Sequence, residues 1–329
     1  MKVVLTGATG YLGFETLKSL LKISELTEIR AAGRSVKPEH NIEDPRLSYH
    51  LGDLTNAAYV DELLDGMTHL VHAAALSSAW GSEAAFKSAN LDTTQLLLET
   101  AQKKEFKRIV FISTGSLYFN WSDRLNIKES DPLPSKFVNA YAATKRQAEL
   151  LVENSGLPYI IIRPRAIIGK GDTVIMPRLL RAHAAGKLRI VGSGQNIVDF
   201  CSVQNCAQAI VLALLAADKK MNQTFHVSNG EALPLWEVIA EVLTLLEKTP
   251  PTKKVPYRLA LTFAKMLEFK ARLFGQNEPN LTTFGIGVLA KSVTFDISKI
   301  KQELGFEPSV TTKQAMLEFV EWYKHTKQF

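Results

Sequence analysis

The chain is poor in the residues that would tie it together covalently or through a metal. Its 329 residues include two cysteines, Cys201 and Cys206, too few for a disulfide framework or a zinc site, so a reducing compartment is expected. The seven histidines show no metal-ligand spacing, and no metal site is expected. Long hydrophobic runs are missing as well: the longest uncharged apolar stretch, 206–217, is too short to span a bilayer and reads as a core helix. Met1-Lys2-Val3-Val4-Leu5 runs straight into a strand pattern, so no signal peptide is expected. A formal charge of +6 is modest and is not gathered into basic tracts with interleaved aromatics, which argues against nucleic acid as a partner. The expectation is a cytoplasmic globular protein, with membrane association left open. Its 46% hydrophobic content gives ample core for one large domain or two smaller ones.

Against that background, strand-like and helical stretches alternate without repeats. Strand patterns fall at 2–6, 28–33, 47–51, 68–73, 107–113 and 158–163, and helices are expected at 12–22, 56–66, 83–104 and 137–155. Such alternation predicts an α/β fold, a doubly wound parallel sheet with right-handed crossovers. Beyond Arg163-Pro164 the pattern loosens. The chain is expected to return to the first domain at 195–228, through a helix near 204–217 and a strand at 224–227. The expected division is therefore 1–168 plus that return, with 169–194 and 229–329 forming a smaller α+β lobe.

Thr6-Gly7-Ala8-Thr9-Gly10-Tyr11-Leu12-Gly13 stands between the first strand and the first helix. Closely spaced glycines let the backbone turn sharply and approach a phosphate, while the helix N-terminus offers free N–H groups and the positive end of its dipole. This is the strand–turn–helix of a dinucleotide pyrophosphate site. Its spacing, Gly7-x2-Gly10-x2-Gly13, differs from the commoner G-x-G-x-x-G. A second pattern is Tyr141-Ala142-Ala143-Thr144-Lys145: residues four apart share a helix face, so Lys145 can stand near the Tyr141 hydroxyl. A free tyrosine has a pKa of about 10 and needs a fixed cation nearby to exchange protons near neutrality.

Together these motifs resemble the extended branch of the short-chain dehydrogenase/reductase superfamily, the NAD-dependent epimerase/dehydratase type with a Rossmann domain. The resemblance implies a Ser/Thr–Tyr–Lys triad, and Ile112-Ser113-Thr114-Gly115-Ser116 ends a buried strand where its hydroxyl belongs. Aligned on the family pattern, the catalytic hydroxyl falls on Thr114. Strand alternation alone does not separate Thr114 from Ser116. Tyr141 and Lys145 complete the triad, and cofactor contacts are implied for Gly7, Thr9, Gly10, Tyr11, Leu12 and Gly13. Further contacts are implied for Ala73, Ala74, Pro164 and Ile167, and for Asp53 and Leu54, which match an Asp-Leu that touches adenine. An alternative role for Asp53 is to cap the helix beginning near Asn56. His72 is expected to pack beside the cofactor. Asn90 sits where the family has Asn-x-x-Gly-Thr, but Thr93 replaces the glycine, so Asn90 is read as a structural helix residue.

Cofactor choice rests on the end of the second strand, Gly33-Arg34-Ser35, which lacks the acid that would accept bonds from a ribose 2′-OH. Arg34 offers a planar fork to a 2′-phosphate and Ser35 a hydroxyl, which favours NADP over NAD. Arg163-Pro164…Gly169-Lys170-Gly171-Asp172, Gly192-Ser193-Gly194 and Val227-Ser228-Asn229-Gly230 are similar to segments of the 3β-hydroxysteroid dehydrogenase-like and 2-alkyl-3-oxoalkanoate reductase-like group. That similarity implies oxidoreduction of a CH–OH group on a bulky apolar small molecule. A nucleotide-sugar epimerase or dehydratase, with Arg178, Arg181 and Lys187 as polar anchors, is the alternative; a catalytically silent NADP-sensing regulator is the alternative outside enzymes.

Stretch 257–274 places Arg258, Thr262, Lys265, Glu268 and Arg272 at helical period, with Leu259, Leu261, Phe263, Met266, Leu267 and Phe269 over the rest. It reads as a lid or core helix, or as a peripheral membrane contact. A homodimer is the other partner expectation.

Overall fold

The computed structural model describes residues 1–275, 278–279 and 281–326. Seven short strands form one parallel sheet, in the order Gln223–Val227, Tyr159–Pro164, Arg108–Ile112, His69–His72, Lys2–Thr6, Glu28–Gly33, Leu47–Leu51. Their β-branched side chains point alternately to the two faces. Val3, Leu5, Val110, Ile160 and Ile162 meet Leu17, Leu20, Ile210 and Leu214 on one side. Val4, Leu70, Ile109, Phe111 and Ile161 meet Val60, Leu63, Leu97, Ala148 and Val152 on the other. Coverage of both faces is what allows nearly continuous apolar strands.

The chain starts in the middle of this sheet, at Lys2–Thr6. It works out to Leu47–Leu51, then crosses to His69–His72 and works out the other way. The connections after Lys2–Thr6 and His69–His72 therefore leave in opposite directions, opening a crevice at the carboxyl ends of those strands. This is the doubly wound parallel Rossmann sheet expected from the sequence.

The helix expected at 83–104 is divided into Glu83–Phe86, a π-helical turn Lys87–Asp92, and Thr93–Lys103. At its end the Thr93 and Thr94 hydroxyls donate back to the carbonyls of Ala89 at 2.7 Å and Asn90 at 2.6 Å.

A smaller sheet is assembled from four distant stretches, in the order Leu233–Pro234, Ile197–Val198, Val293–Phe295, Arg124–Ile127. Arg124–Ile127 carries no strand expectation in the sequence; it pairs in parallel with Val293–Phe295. A second core gathers Met176, Leu180, Trp236, Ile239, Val242 and Phe319 from the helices Ile175–Ala184, Leu235–Leu245 and Thr312–Thr326. Among the described residues, no helix is long and apolar enough to cross a membrane.

Candidate active site

The glycine loop is a cradle in which backbone packs on backbone. Gly7 has φ +73°, and a Cβ there would lie 2.7 Å from the Ala74 nitrogen. A Cβ on Gly13 would lie 1.9 Å from the Gly7 oxygen. Gly10 is the N-cap residue of Tyr11–Leu20, with no side-chain cap and no acid in the first turn. The first N–H groups of that helix are thus left for an anion, and the loop fits a pyrophosphate.

A cavity of about 1550 Å³ runs from this loop to the smaller lobe. Gly7, Thr9, Gly10, Tyr11, Leu12 and Gly13 line one end, and Arg34, Ser35, Asp53 and Leu54 flank it. Lys37, which the sequence reading does not single out, adds a second cation beside Arg34. Ala73, Ala74, Pro164 and Ile167 line the middle, with Thr114, Ser116 and Tyr141. Asp53 accepts from the Thr55 nitrogen at 2.9 Å, which holds its carboxyl below the usual range. It does not cap the following helix; Asn56 does, accepting from Ala58 N at 3.0 Å and Tyr59 N at 3.2 Å.

Tyr141 stands in the first turn of Ala140–Glu153, a helix capped by Asn139, whose side chain accepts from Ala142 N at 2.9 Å. Burial pushes its hydroxyl pKa up, while hydrogen bonds with Ser77 and Thr114 pull it down. Thr114 Oγ1 also accepts from the Ser116 nitrogen at 3.1 Å. Ser113, one residue earlier, is buried and also borders the cavity.

A buried tyrosine beside a threonine, in a crevice next to a glycine cradle, is the arrangement the sequence motifs lead one to expect. Residues 3–228 match the model of the "NAD dependent epimerase/dehydratase family". The chain belongs to that family. It is an NAD(P)-dependent oxidoreductase of the extended short-chain dehydrogenase/reductase group. It is 31% identical to 3beta-hydroxysteroid-dehydrogenase/decarboxylase isoform 1 of Arabidopsis thaliana, over 87% of this chain and 69% of that protein. It is 29% identical to 2-alkyl-3-oxoalkanoate reductase of Shewanella oneidensis, over 94% and 83% of the two chains. The fold is shared with UDP-glucuronic acid 4-epimerase of Bacillus cereus in complex with NAD, with TM-score 0.77, 21% identity and 99% of each chain covered.

Within this family member, Lys145 departs from the simple picture of a lysine facing the Tyr141 hydroxyl. It is 2% exposed and does not line the cavity. Its ammonium lies 4.0 Å from the centre of the Phe111 ring, and Glu149, one turn further along the helix, is its charged neighbour. Burial draws its pKa down to about 7, opposed by Glu149. A buried ammonium settles where a π face and a carboxylate offset its lost hydration.

Glu149 is itself buried, yet its carboxyl stays below the usual range: burial raises it, and Arg163 together with Arg146 and other partners outweighs this. Arg163 donates to it at 2.8 and 2.7 Å, and Arg146 at 2.9 Å. Arg163 also donates to Tyr118 Oη at 2.6 Å. The signal was in the sequence, an acid four residues after Lys145 on one helix face.

His72 does not line the cavity. It is buried behind the wall between Thr6 Oγ1 at 2.7 Å and Thr94 Oγ1 at 3.0 Å, and burial lowers its pKa to about 3. Asn90 is more than a helix residue. Its side chain accepts from Leu76 N at 2.7 Å and donates to Thr144 Oγ1 at 3.2 Å. It thereby ties the loop carrying Ser77 to the helix carrying Tyr141.

Proposed function

We propose that this protein is an NADP(H)-dependent oxidoreductase that interconverts a secondary alcohol and a ketone on a bulky apolar molecule, sterol-like or a long-chain β-hydroxy/β-keto compound. One observation carries the reading: a single cavity joins the glycine cradle, the Tyr141–Thr114 pair and a distal wall of Met176, Leu179, Leu235, Val238, Ile239 and Phe263. The names of the Arabidopsis and Shewanella relatives support the substrate class.

In this reading Arg34, Ser35 and Lys37 take the 2′-phosphate through charge-assisted hydrogen bonds. The bound nicotinamide supplies or accepts the hydride. Thr114 Oγ1 orients the substrate oxygen. Tyr141 Oη gives that oxygen a proton in reduction and removes it in oxidation. The Lys145 ammonium leaves the Phe111 ring along its flexible stem, reaches the ribose side of Tyr141 and lowers the phenol's pKa.

The test is NADPH oxidation by the purified chain across 3-ketosteroids and 2-alkyl-3-keto acids. Tyr141→Phe is expected to lower kcat by about 10²- to 10⁴-fold, with the NADPH dissociation constant nearly retained. Activity within about twofold of the parent removes Tyr141 from the chemistry. Turnover of UDP-sugars without net NADPH consumption moves the assignment to epimerisation, with Arg181 and Lys187 at the cavity rim as diphosphate partners.

A further inference from the structure

Tyr257–Leu273 packs through its small side chains and turns its large ones outward. Ala260, Ala264 and Ala271 are its buried residues, four and seven apart and so on one face. Glu268 also turns inward, its carboxylate accepting from Thr283 N at 2.7 Å and Thr283 Oγ1 at 3.1 Å. On the opposite face Leu259, Phe263, Met266, Phe269 and Leu273 are 61%, 52%, 63%, 70% and 66% exposed. Exposed leucines elsewhere, such as Leu51, Leu125 and Leu150, are scattered. A contiguous stripe of large apolar side chains marks a surface that is covered in use.

Charge says by what. Arg258, Lys265, Lys270 and Arg272 are exposed on the same helix, Arg272 lying over the Trp80 ring, while the helix's one acid is turned inward. Leu259 and Phe263 also line the cavity, whose adjoining wall carries the exposed Arg181 and Lys187. The stripe is therefore flanked by cations and continuous with the cavity mouth. A second copy related by two-fold symmetry would bring cations against cations. An anionic bilayer matches both the apolar stripe and its border.

We propose that Tyr257–Leu273 docks in the plane of an anionic membrane surface, and that substrate passes from the bilayer into the cavity past Leu259 and Phe263. The docking stands on the exposed stripe; the loading route rests on the apolar-substrate reading above. Two double variants isolate the docking, Met266→Glu with Phe269→Glu, and Lys265→Glu with Lys270→Glu. None of these four residues lines the cavity.

The parent is expected to co-sediment with phosphatidylcholine/phosphatidylserine vesicles at low salt, and about tenfold less with phosphatidylcholine alone or at high salt. Each double variant should lose about tenfold of the partitioning while NADPH affinity and turnover of a short water-soluble ketone stay at the parent level. Turnover of a long-chain ketone dissolved in the vesicles should fall with the partitioning. No sedimentation of the parent at low salt overturns the proposal. So does a parent dimer that Met266→Glu/Phe269→Glu turns into a monomer, because the stripe then belongs to a second copy. Vesicle binding lost in the variants, with no ketone reduced by any form, leaves the docking standing and removes the substrate reading instead.

Discussion

The two ends of the cavity are built from different material. At the nucleotide end, the Gly7 and Gly13 backbones press on Ala74 and on each other with no room for a methyl group. At the substrate end, side chains from Ile175–Ala184, Leu235–Leu245 and Tyr257–Leu273 make the wall. A site shaped by backbone tolerates no added atom, whereas a wall of side chains can be trimmed or enlarged while the fold stays. Chains of one family can therefore share a cofactor and diverge in what they reduce.

The hardest test of that contrast is Gly13→Ala. The added Cβ would sit on the Gly7 oxygen, so NADPH binding should be lost and stability should drop by about 3 kcal/mol. A normal fluorescence titration together with an unchanged thermal melt would mean the cradle can give way. Arg34→Asp probes the same end through a side chain. NADPH should weaken about ten- to a hundredfold more than NADH, since only one of the two carries the phosphate; equal loss for both separates Arg34 from the 2′ position.

Behind the cavity wall, against Phe111, lies Lys145, and its test is one of pH. Burial holds its pKa at about 7 in the fold, against about 10.4 for an unperturbed lysine. Between these values the unfolded chain binds a proton that the folded chain does not. The destabilising contribution of Lys145 is thus complete below about pH 7 and fades as pH rises through that window. Lys145→Met removes the titrating group, so the melting temperature of parent minus variant should climb by several degrees between pH 7 and 10. A flat difference would place the ammonium in a wetter setting. The smallest effect is expected at the substrate end, where Phe263→Ala should raise KM for bulky ketones about threefold with kcat retained. A collapse of cofactor binding there would erase the distinction between the ends.

What the sequence discloses follows the same contrast. Glycine spacing and β-branched runs report constraints that act within a few residues, so the seven-stranded sheet and its crevice are legible. The turn Lys87–Asp92 is not, because its residues are also compatible with a regular helix and the bonds Asn90 makes there, to Leu76 and Thr144, reach distant elements. For Lys145 the four-residue spacing gives the helix face but not the competition from Phe111 and Glu149. In 257–274 the periodicity reveals two faces without saying which one packs. Size reverses the usual inference there, since close approach to Thr283–Ala290 selects the alanines and leaves the phenylalanines outside.

The pairing of Arg124–Ile127 with Val293–Phe295 also sets a timetable. A chain emerging from the ribosome completes the large sheet when Gln223–Val227 is added, yet Arg124–Ile127 has to wait for a partner made much later. At about 5–20 residues per second the wait lasts on the order of ten to thirty seconds. During it Leu125 and the open strand edge stay unpartnered, a template for wrong pairing. The last strand to be synthesised joins the earliest-made strand of the smaller sheet, so truncation before residue 295 would strip the smaller lobe of its centre rather than of its margin.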